Sequence, residues 1–445
     1  MCEQAKTPYE YFLQTLPSDW ERLEIHKLGT VVGGGTPSRE VSSYWHGDIP
    51  WVTPGEVSST ETQTLHSTNE HISQAGLNGS GAKLLPAGSL MVTTRATLGA
   101  RAINAVPMAT NQGFKSIIFK TLDDGGYYFH LFERLKPELI RRASGTTFLE
   151  ISGSEFRSIQ VPNPPIPEKK LIAKILDTLD TATRETERLI DKLKAVKQGL
   201  LQDLLTRGID ASGQLRPPQS EEPQLYKKSP LGWIPSGWEV LRLDTVAIRG
   251  SGHTPSKGVL SYWNGGVKWV SLADSHRLDQ IYIHETDKEI SELGLANSSA
   301  VLHPEGTVIL SRDAGVGKSA ILGCNMAVSQ HFMAWRCGEK LNNLFLYFYL
   351  QREKPKFEAI AIGSTIKTIG LPFFKSYEIA LPPRREQDQA AAILMEAEQN
   401  LKAQDAELDK LRQQKIGLMY DLLGGRVRVT PLLGSLRKTA GPTEL

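Results

Sequence analysis

Several clusters of this 445-residue chain could do chemistry, and all of them are suited to gripping an anion rather than to catalysis. Gly34-Gly35-Thr36-Pro37-Ser38 and Gly252-His253-Thr254-Pro255-Ser256 combine exposed backbone amides with the hydroxyls of Thr36, Ser38, Thr254 and Ser256. Such groups hold phosphate oxygens, although the same residues also make plain turns. Arg95 follows the run Val92-Thr93-Thr94, and Arg312 follows Ile309-Leu310-Ser311. An arginine placed after a strand reaches a guanine edge or a phosphate, or closes a salt bridge. Thr94, Ser311 and Lys318 add donors beside these arginines. Gly145-Thr146-Thr147 follows Arg141-Arg142, while Gly363-Ser364-Thr365 lies between Lys354/Lys356 and Lys367. Hydroxyls beside cations suit a phosphate clamp, with ordinary helix capping as the plainer use.

Three look-alikes fail on spacing or context. Gly317-Lys318-Ser319 ends like a phosphate-binding loop, but the position that needs the first glycine is Arg312. The other copy reads Leu98-Gly99-Ala100-Arg101 there. Asn163-Pro164-Pro165-Ile166 resembles the catalytic tetrad of adenine methyltransferases without its aromatic fourth residue. Cys324, Cys337 and His331 lack zinc-ligand spacing. No catalytic residue and no metal site are expected.

What must position these clusters is a domain that occurs twice. At an offset of 218 residues, Pro17, Ser18, Trp20, Glu21 and Leu23 recur as Pro235, Ser236, Trp238, Glu239 and Leu241. Ser43-Tyr44-Trp45 returns as Ser261-Tyr262-Trp263, and Trp51-Val52 as Trp269-Val270. The register persists through Gln112/Gln330, Gly145/Gly363, Ile151/Ile369, Phe156/Phe374, Glu168/Glu386 and Asp203-Leu204-Leu205/Asp421-Leu422-Leu423. Six of the eight tryptophans fall in matched pairs, which makes core packing their expected role and base stacking a lesser one. A glutamine shared by both copies is expected to support the frame rather than to distinguish bases.

Each copy has two parts. The first mixes turn-rich stretches with short apolar runs, Ser89–Val92 and Thr307–Leu310, that read as strands. Near its end a helix is expected over Leu344–Ala361, stopped by Gly363. The second part runs about 40 residues beyond Pro167 and Pro383 with no proline and almost no glycine. Apolar residues there recur in alternating steps of three and four. They are Leu176, Leu179, Ile190, Leu193, Leu200 and Leu204 in one copy, and Leu394, Ala397, Leu408, Leu411, Leu418 and Leu422 in the other. That is the seam of a coiled coil. Its flaws, Thr183, Thr186, Lys197, Gln404 and Lys415, either set the register or belong to a surface that another subunit covers.

The divisions are 1–166 and 234–384 for the domains, 167–207 and 385–424 for the helices, 208–233 for an extended linker and 425–445 for a tail. A formal net charge of +2 argues against a chain that coats nucleic acid by bulk charge. No run reaches membrane-spanning length, and the first residues lack a signal-peptide core. With three cysteines, a cytoplasmic setting is expected.

The opener Lys227-Lys228-Ser229-Pro230-Leu231-Gly232-Trp233-Ile234-Pro235-Ser236-Gly237-Trp238-Glu239-Val240 resembles the start of a target recognition domain in the DNA-specificity subunits of type I restriction–modification systems. Leu16–Glu21 is its fainter N-terminal copy. Gly34–Ser38, Gly145–Thr147 and Leu204-Leu205-Thr206-Arg207-Gly208-Ile209-Asp210 are also similar to that family. The resemblance covers nearly the whole chain. It implies a mixed α+β protein: two tandem α/β target recognition domains separated by two long helices that form an antiparallel coiled coil. It further implies a non-catalytic subunit whose domains each read half of a split double-stranded DNA site, with the helices as spacer. Two methyltransferase subunits would dock on the helices, where Leu179, Leu193, Leu200, Leu204, Leu408, Leu411, Leu418 and Leu422 are candidate contacts. Restriction/translocase subunits would join them. The subunit would hold no cofactor itself; S-adenosylmethionine, ATP and Mg would belong to its partners. Divergence between His66–Leu77 and Glu285–Leu293 points to two different half-sites. The rival from another class is a scaffold with a partner-recruiting coiled coil and peptide- or glycan-binding domains.

Overall fold

The computed structural model describes residues 7–433 apart from 61, 96, 146–148 and 364–366. The chain divides into two units, Met1–Arg188 with Ala406–Leu445, and Leu189–Asp405. Each therefore contains one mixed domain and a stretch of both long helices.

In the first unit, Leu90–Thr93 is a strand with every residue buried. It lies at the centre of a five-stranded sheet, between Phe114–Phe119 and Arg101–Asn104, with Gly29–Gly33 and Thr64–Leu65 at the edges. A strand flanked on both sides and covered on both faces requires an unbroken apolar run rather than alternation, which explains Leu90-Met91-Val92. The second unit repeats the order with Val308–Ser311 central, flanked by Phe332–Cys337 and Ser319–Leu322. Both predicted central strands are therefore present.

A second, smaller sheet in each unit is built on an eight-residue strand, Trp45–Val52 or Trp263–Val270. Its pairing slips after Trp45 and Trp263, where His46 and Asn264 adopt left-handed φ values of 59° and 57°. Such a bulge bends the strand locally. On either side of it, Trp45 and Trp51 meet edge to face at 5.2 Å, and Trp263 and Trp269 at 5.3 Å. Centroid spacing and angle both match favourable aromatic geometry.

Helices Gly125–Arg142 and Asn343–Ile360 pack on the large sheets. Tyr127, Tyr128, Leu131, Phe132, Leu135 and Leu139 form the inward face of the first. The second ends at Ile360, with extended Ala361 as its cap, within one residue of the expected Leu344–Ala361. Just beyond it, Ile362 and Thr368 exchange backbone bonds of 3.1 and 2.9 Å, which draws Ile362 out of the helical path. The linker is also more ordered than an extended strap. Tyr226–Ser229 and Gly232–Pro235 form an antiparallel hairpin, and Arg216 grips Glu386 through both carboxylate oxygens at 2.5 and 3.0 Å.

The long helices span Ile166–Leu204 and Arg384–Leu423, each close to 60 Å by helical rise. Within the first unit Asp180 pairs with Lys415 and Glu187 with Arg412, so partner numbers fall as the chain advances and the helices are antiparallel. Within the second unit Lys197 pairs with Glu398. Leu204 and Leu422 are buried in the domain cores, Leu408 is buried as well, and Leu179, Leu193, Leu200, Leu411 and Leu418 are half-buried. As partner-docking residues Leu204 and Leu422 require correction: they are buried in the cores of their own units, and Leu200 and Leu418 pack against those cores. No described helix is long and apolar enough to cross a membrane.

Candidate nucleic-acid interface

The glycine-rich loops are held by a frame built twice from the same residues. Indole N–H groups of Trp45 and Trp51 donate to the carbonyls of Ser38 and Gly35, each at 3.0 Å. Trp263 and Trp269 do the same for Ser256 and His253, at 3.1 and 3.0 Å. Thr36 donates its hydroxyl to Gln112, and Thr254 donates to Gln330 at 2.5 Å. A Cβ on Gly34 would lie 1.9 Å from the Asn111 carbonyl oxygen, and one on Gly252 only 1.7 Å from that of Val328, so the close approach requires glycine. Ser38 and Ser256 are exposed at the tips, Thr36 is exposed and Thr254 is half-buried. The matched tryptophans thus hold the loop backbone, and each matched glutamine accepts the hydroxyl of a loop threonine.

The predicted cations divide sharply. Arg95 is about half exposed, and its Nε lies 3.8 Å from a Glu150 oxygen, beyond hydrogen-bonding range. Lys367 is exposed. The remaining cations are engaged internally. Arg141 holds the buried Glu138 with bonds of 2.7 and 2.6 Å. Arg142 binds Glu138 at 2.7 Å and also reaches Glu155 and Ser158. Glu138 carries two guanidinium groups because a buried carboxylate without them would stay uncompensated; they outweigh its desolvation and hold its carboxyl below the usual range. Lys354 pairs with Asp279 at 2.6 Å and Lys356 with Glu353 at 2.8 Å.

Six expected contacts therefore need correction, Arg141 and Arg142 among them. Thr94 and Ser311 are fully buried and donate to the carbonyls of Gly113 (3.3 Å) and Asp313 (2.6 Å), so they brace the loops from within. Lys318 donates to Ser275, to its carbonyl at 3.0 Å and its hydroxyl at 3.1 Å. Arg312 is mostly buried and donates from Nε to the Ile369 carbonyl at 3.1 Å. Thr146, Thr147, Ser364 and Thr365 lie outside the described residues. Asn163, the first residue of the methyltransferase look-alike, ties the domain to the long helix instead. Its side-chain oxygen accepts from Tyr128 and Lys169, each at 3.0 Å.

Two residues that the sequence did not mark as DNA contacts stand at the second loop, His331 having been weighed only as a metal ligand. His331 Nδ1 lies 2.8 Å from Asp313, and its Nε2 lies 3.3 Å from the Gln330 amide nitrogen. Neither has a like residue 218 positions earlier, where Gly113 and Arg95 stand, so a search for repeated residues could not find them. The offset also shows that Arg95 and Arg312 are not equivalent: Arg95 matches Asp313 and Arg312 matches Thr94.

Similarity to known proteins agrees with this geometry. The model of the type I restriction modification DNA specificity domain matches residues 17–195 and again 235–413. The MjaIX specificity subunit of Methanocaldococcus jannaschii, a type I restriction enzyme component, is 26% identical over 94% of this chain and 95% of its own length. The EcoR124I/EcoR124II specificity subunit of Escherichia coli is 29% identical over 40% of this chain and 46% of its own. Among solved structures, the type I restriction–modification S subunit of M. genitalium superposes with a TM-score of 0.54. It shares 12% identity and covers 94% of this chain and 98% of its own. A chain from a type I system solved in the context of complex assembly gives 0.55 at 19% identity, covering 93% and 99%.

Proposed function

The chain belongs to the type I restriction–modification DNA specificity family, and we propose that each of its two domains reads one half of a split, asymmetric duplex site. The observation that carries this reading is the duplication itself. Two loops share one frame of tryptophan, threonine and glutamine and carry a serine at the tip, yet differ beside it, with Arg39 and Glu40 exposed in one and Lys257 and Gly258 in the other. A common frame with divergent flanks suits two similar docking events on two different sequences.

The helix pair acts as the spacer between the half-sites and as the platform for two methyltransferase subunits. Exposed apolar residues support this reading, Leu189 and Val196 on the helices of one unit and Ile416, 70% exposed, in the other. The subunit is not itself an enzyme. Adenine methylation and ATP-dependent cleavage reside on the modification and restriction/translocase subunits, which bring S-adenosylmethionine, ATP and Mg. The assembly works in the cytoplasm, where the DNA is. Near-neutral charge accords with affinity that is shared among subunits and concentrated in two patches.

Long-read sequencing of host DNA tests the reading. A methylated two-part motif should be present and should vanish when this gene is deleted. An expressed methyltransferase partner without such a motif would refute it.

A further inference from the structure

One backbone node is built twice and filled with different side chains. In the first domain the Thr94 N–H donates to the Gly113 carbonyl at 2.8 Å, and the Ile151 N–H to the Thr94 carbonyl at 3.0 Å. Arg95 forms a bridge with Glu150. In the second domain the Arg312 N–H donates to the His331 carbonyl at 2.9 Å, and the Ile369 N–H to the Arg312 carbonyl at 3.0 Å. Asp313 bridges Thr368. The backbones agree bond for bond. Ile151 and Ile369 are alike, but the other side chains differ: Thr94 against Arg312, Gly113 against His331, Arg95 against Asp313, and Glu150 against Thr368. Both nodes adjoin the Thr–Gln pair that holds the glycine-rich loop, so the differences are concentrated inside a conserved setting.

The chemistry of the two fillings follows from their hydrogen bonds. Gly113 leaves Arg95 without a neighbouring side chain at that position, and Glu150 lies too far to hold its Nε. A half-exposed planar guanidinium matches the N7 and O6 acceptors of guanine. In the second domain His331 Nδ1 faces a carboxylate oxygen of Asp313 at 2.8 Å, and in the tautomer that donates to it Nε2 is an acceptor. Nε2 then receives one N–H of Gln330, while Gln330 Oε1 receives the Thr254 hydroxyl. Held at both ends, the Gln330 amide retains one N–H and one oxygen lone pair. That donor–acceptor pair matches N7 and N6 of adenine. Gln112 has the threonine but no histidine, so its amide is fixed at one end only.

We infer that Arg95 reads a guanine in one half-site, and that Gln330 reads an adenine in the other, with His331 and Asp313 as its positioning residues. This rests on the two-half-site reading above. The experiment is long-read methylation mapping in cells that express the full complex with single variants of this subunit. Arg95→Ala should make one guanine position of one half-site degenerate and lower methylation of the original site roughly tenfold to a hundredfold. His331→Ala and Asp313→Asn should relax one adenine position of the opposite half-site only.

Variants Arg95→Lys and His331→Gln keep size and polarity, and serve if the alanine forms fail to fold. Lysine lacks the fork and should still relax the guanine, whereas glutamine at 331 can accept from Gln330 and should restore the adenine. An unchanged motif in the Arg95 and His331 variants would overturn the inference while leaving the two-half-site reading standing. So would an even loss across both half-sites with no new sequences, because a merely structural role lowers occupancy without changing the bases read. Absence of any split motif with the unaltered protein would overturn both.

Discussion

At the residue scale, the frame of the loops and their reading groups have separable consequences. Trp51→Phe removes the N–H that holds the Gly35 carbonyl and keeps most of the ring contact with Trp45. It should cost about 1 kcal/mol of loop stability and weaken one half-site without altering its sequence, as measured by DNA binding of the assembled complex. Trp269→Phe should do the same for the other half-site. Cys337 offers an independent check on packing. Burial pushes its thiol up to about 12, because the thiolate would lose its hydration. In native protein at pH 8 it stays protonated, and alkylation by iodoacetamide should be much slower than after unfolding, as followed by mass spectrometry. Rapid native alkylation would contradict the packing around Phe332–Cys337.

At the scale of elements, two flaws in the helix seam, Lys197 and Lys415, each hold a carboxylate of the facing helix. Asp180–Lys415 and Lys197–Glu398 are one ion pair occurring twice, each residue 218 positions from its counterpart. Glu398 is 9% exposed in its side chain and Lys197 25%, so removing one partner leaves a poorly hydrated charge. Glu398→Leu alone should destabilise the fold by roughly 1–3 kcal/mol in a denaturant titration, below the cost of a fully buried pair. Replacing both Lys197 and Glu398 by leucine should recover most of that loss, since two apolar residues need no compensation. Leu204→Ala should cost about 2–5 kcal/mol, because this leucine is buried in a domain core rather than in a protein–protein contact.

At the scale of the whole molecule, the proposed spacer role makes helix length a measurable variable. Seven residues added to each long helix, in register with the seam, lengthen it by about 10.5 Å. At roughly 3.4 Å per base pair, the unread gap should grow by about three base pairs while both half-sites stay unchanged. Methylation motifs read from such a variant give the answer directly. An unchanged gap would remove the helices from the role of spacer. Interrupted pairing in only one helix should instead abolish methylation of both half-sites together.

The duplication, the alternation of domain and helix, the central strands and the coiled-coil seam are all legible in the sequence. Each of these depends on recurrence: residues 218 positions apart, apolar residues three or four apart, or an unbroken apolar run. The candidate site is legible only in part, for the same reason. Thr36, Ser38, Thr254 and Ser256 recur, and they stand on the framed loops. Arg312, Lys318, Arg141 and Arg142 have the right composition for binding an anion. Whether a cation faces solvent or holds Ile369, Ser275 or Glu138 depends on contacts up to 57 residues away. His331 and Asp313 show the same limit from the other side. They are unremarkable 18 positions apart in sequence, and only the pairing of strand ends brings them to 2.8 Å. Local pattern determines which elements form; the long-range hydrogen bonds of the tertiary structure decide which polar groups are left over to read DNA.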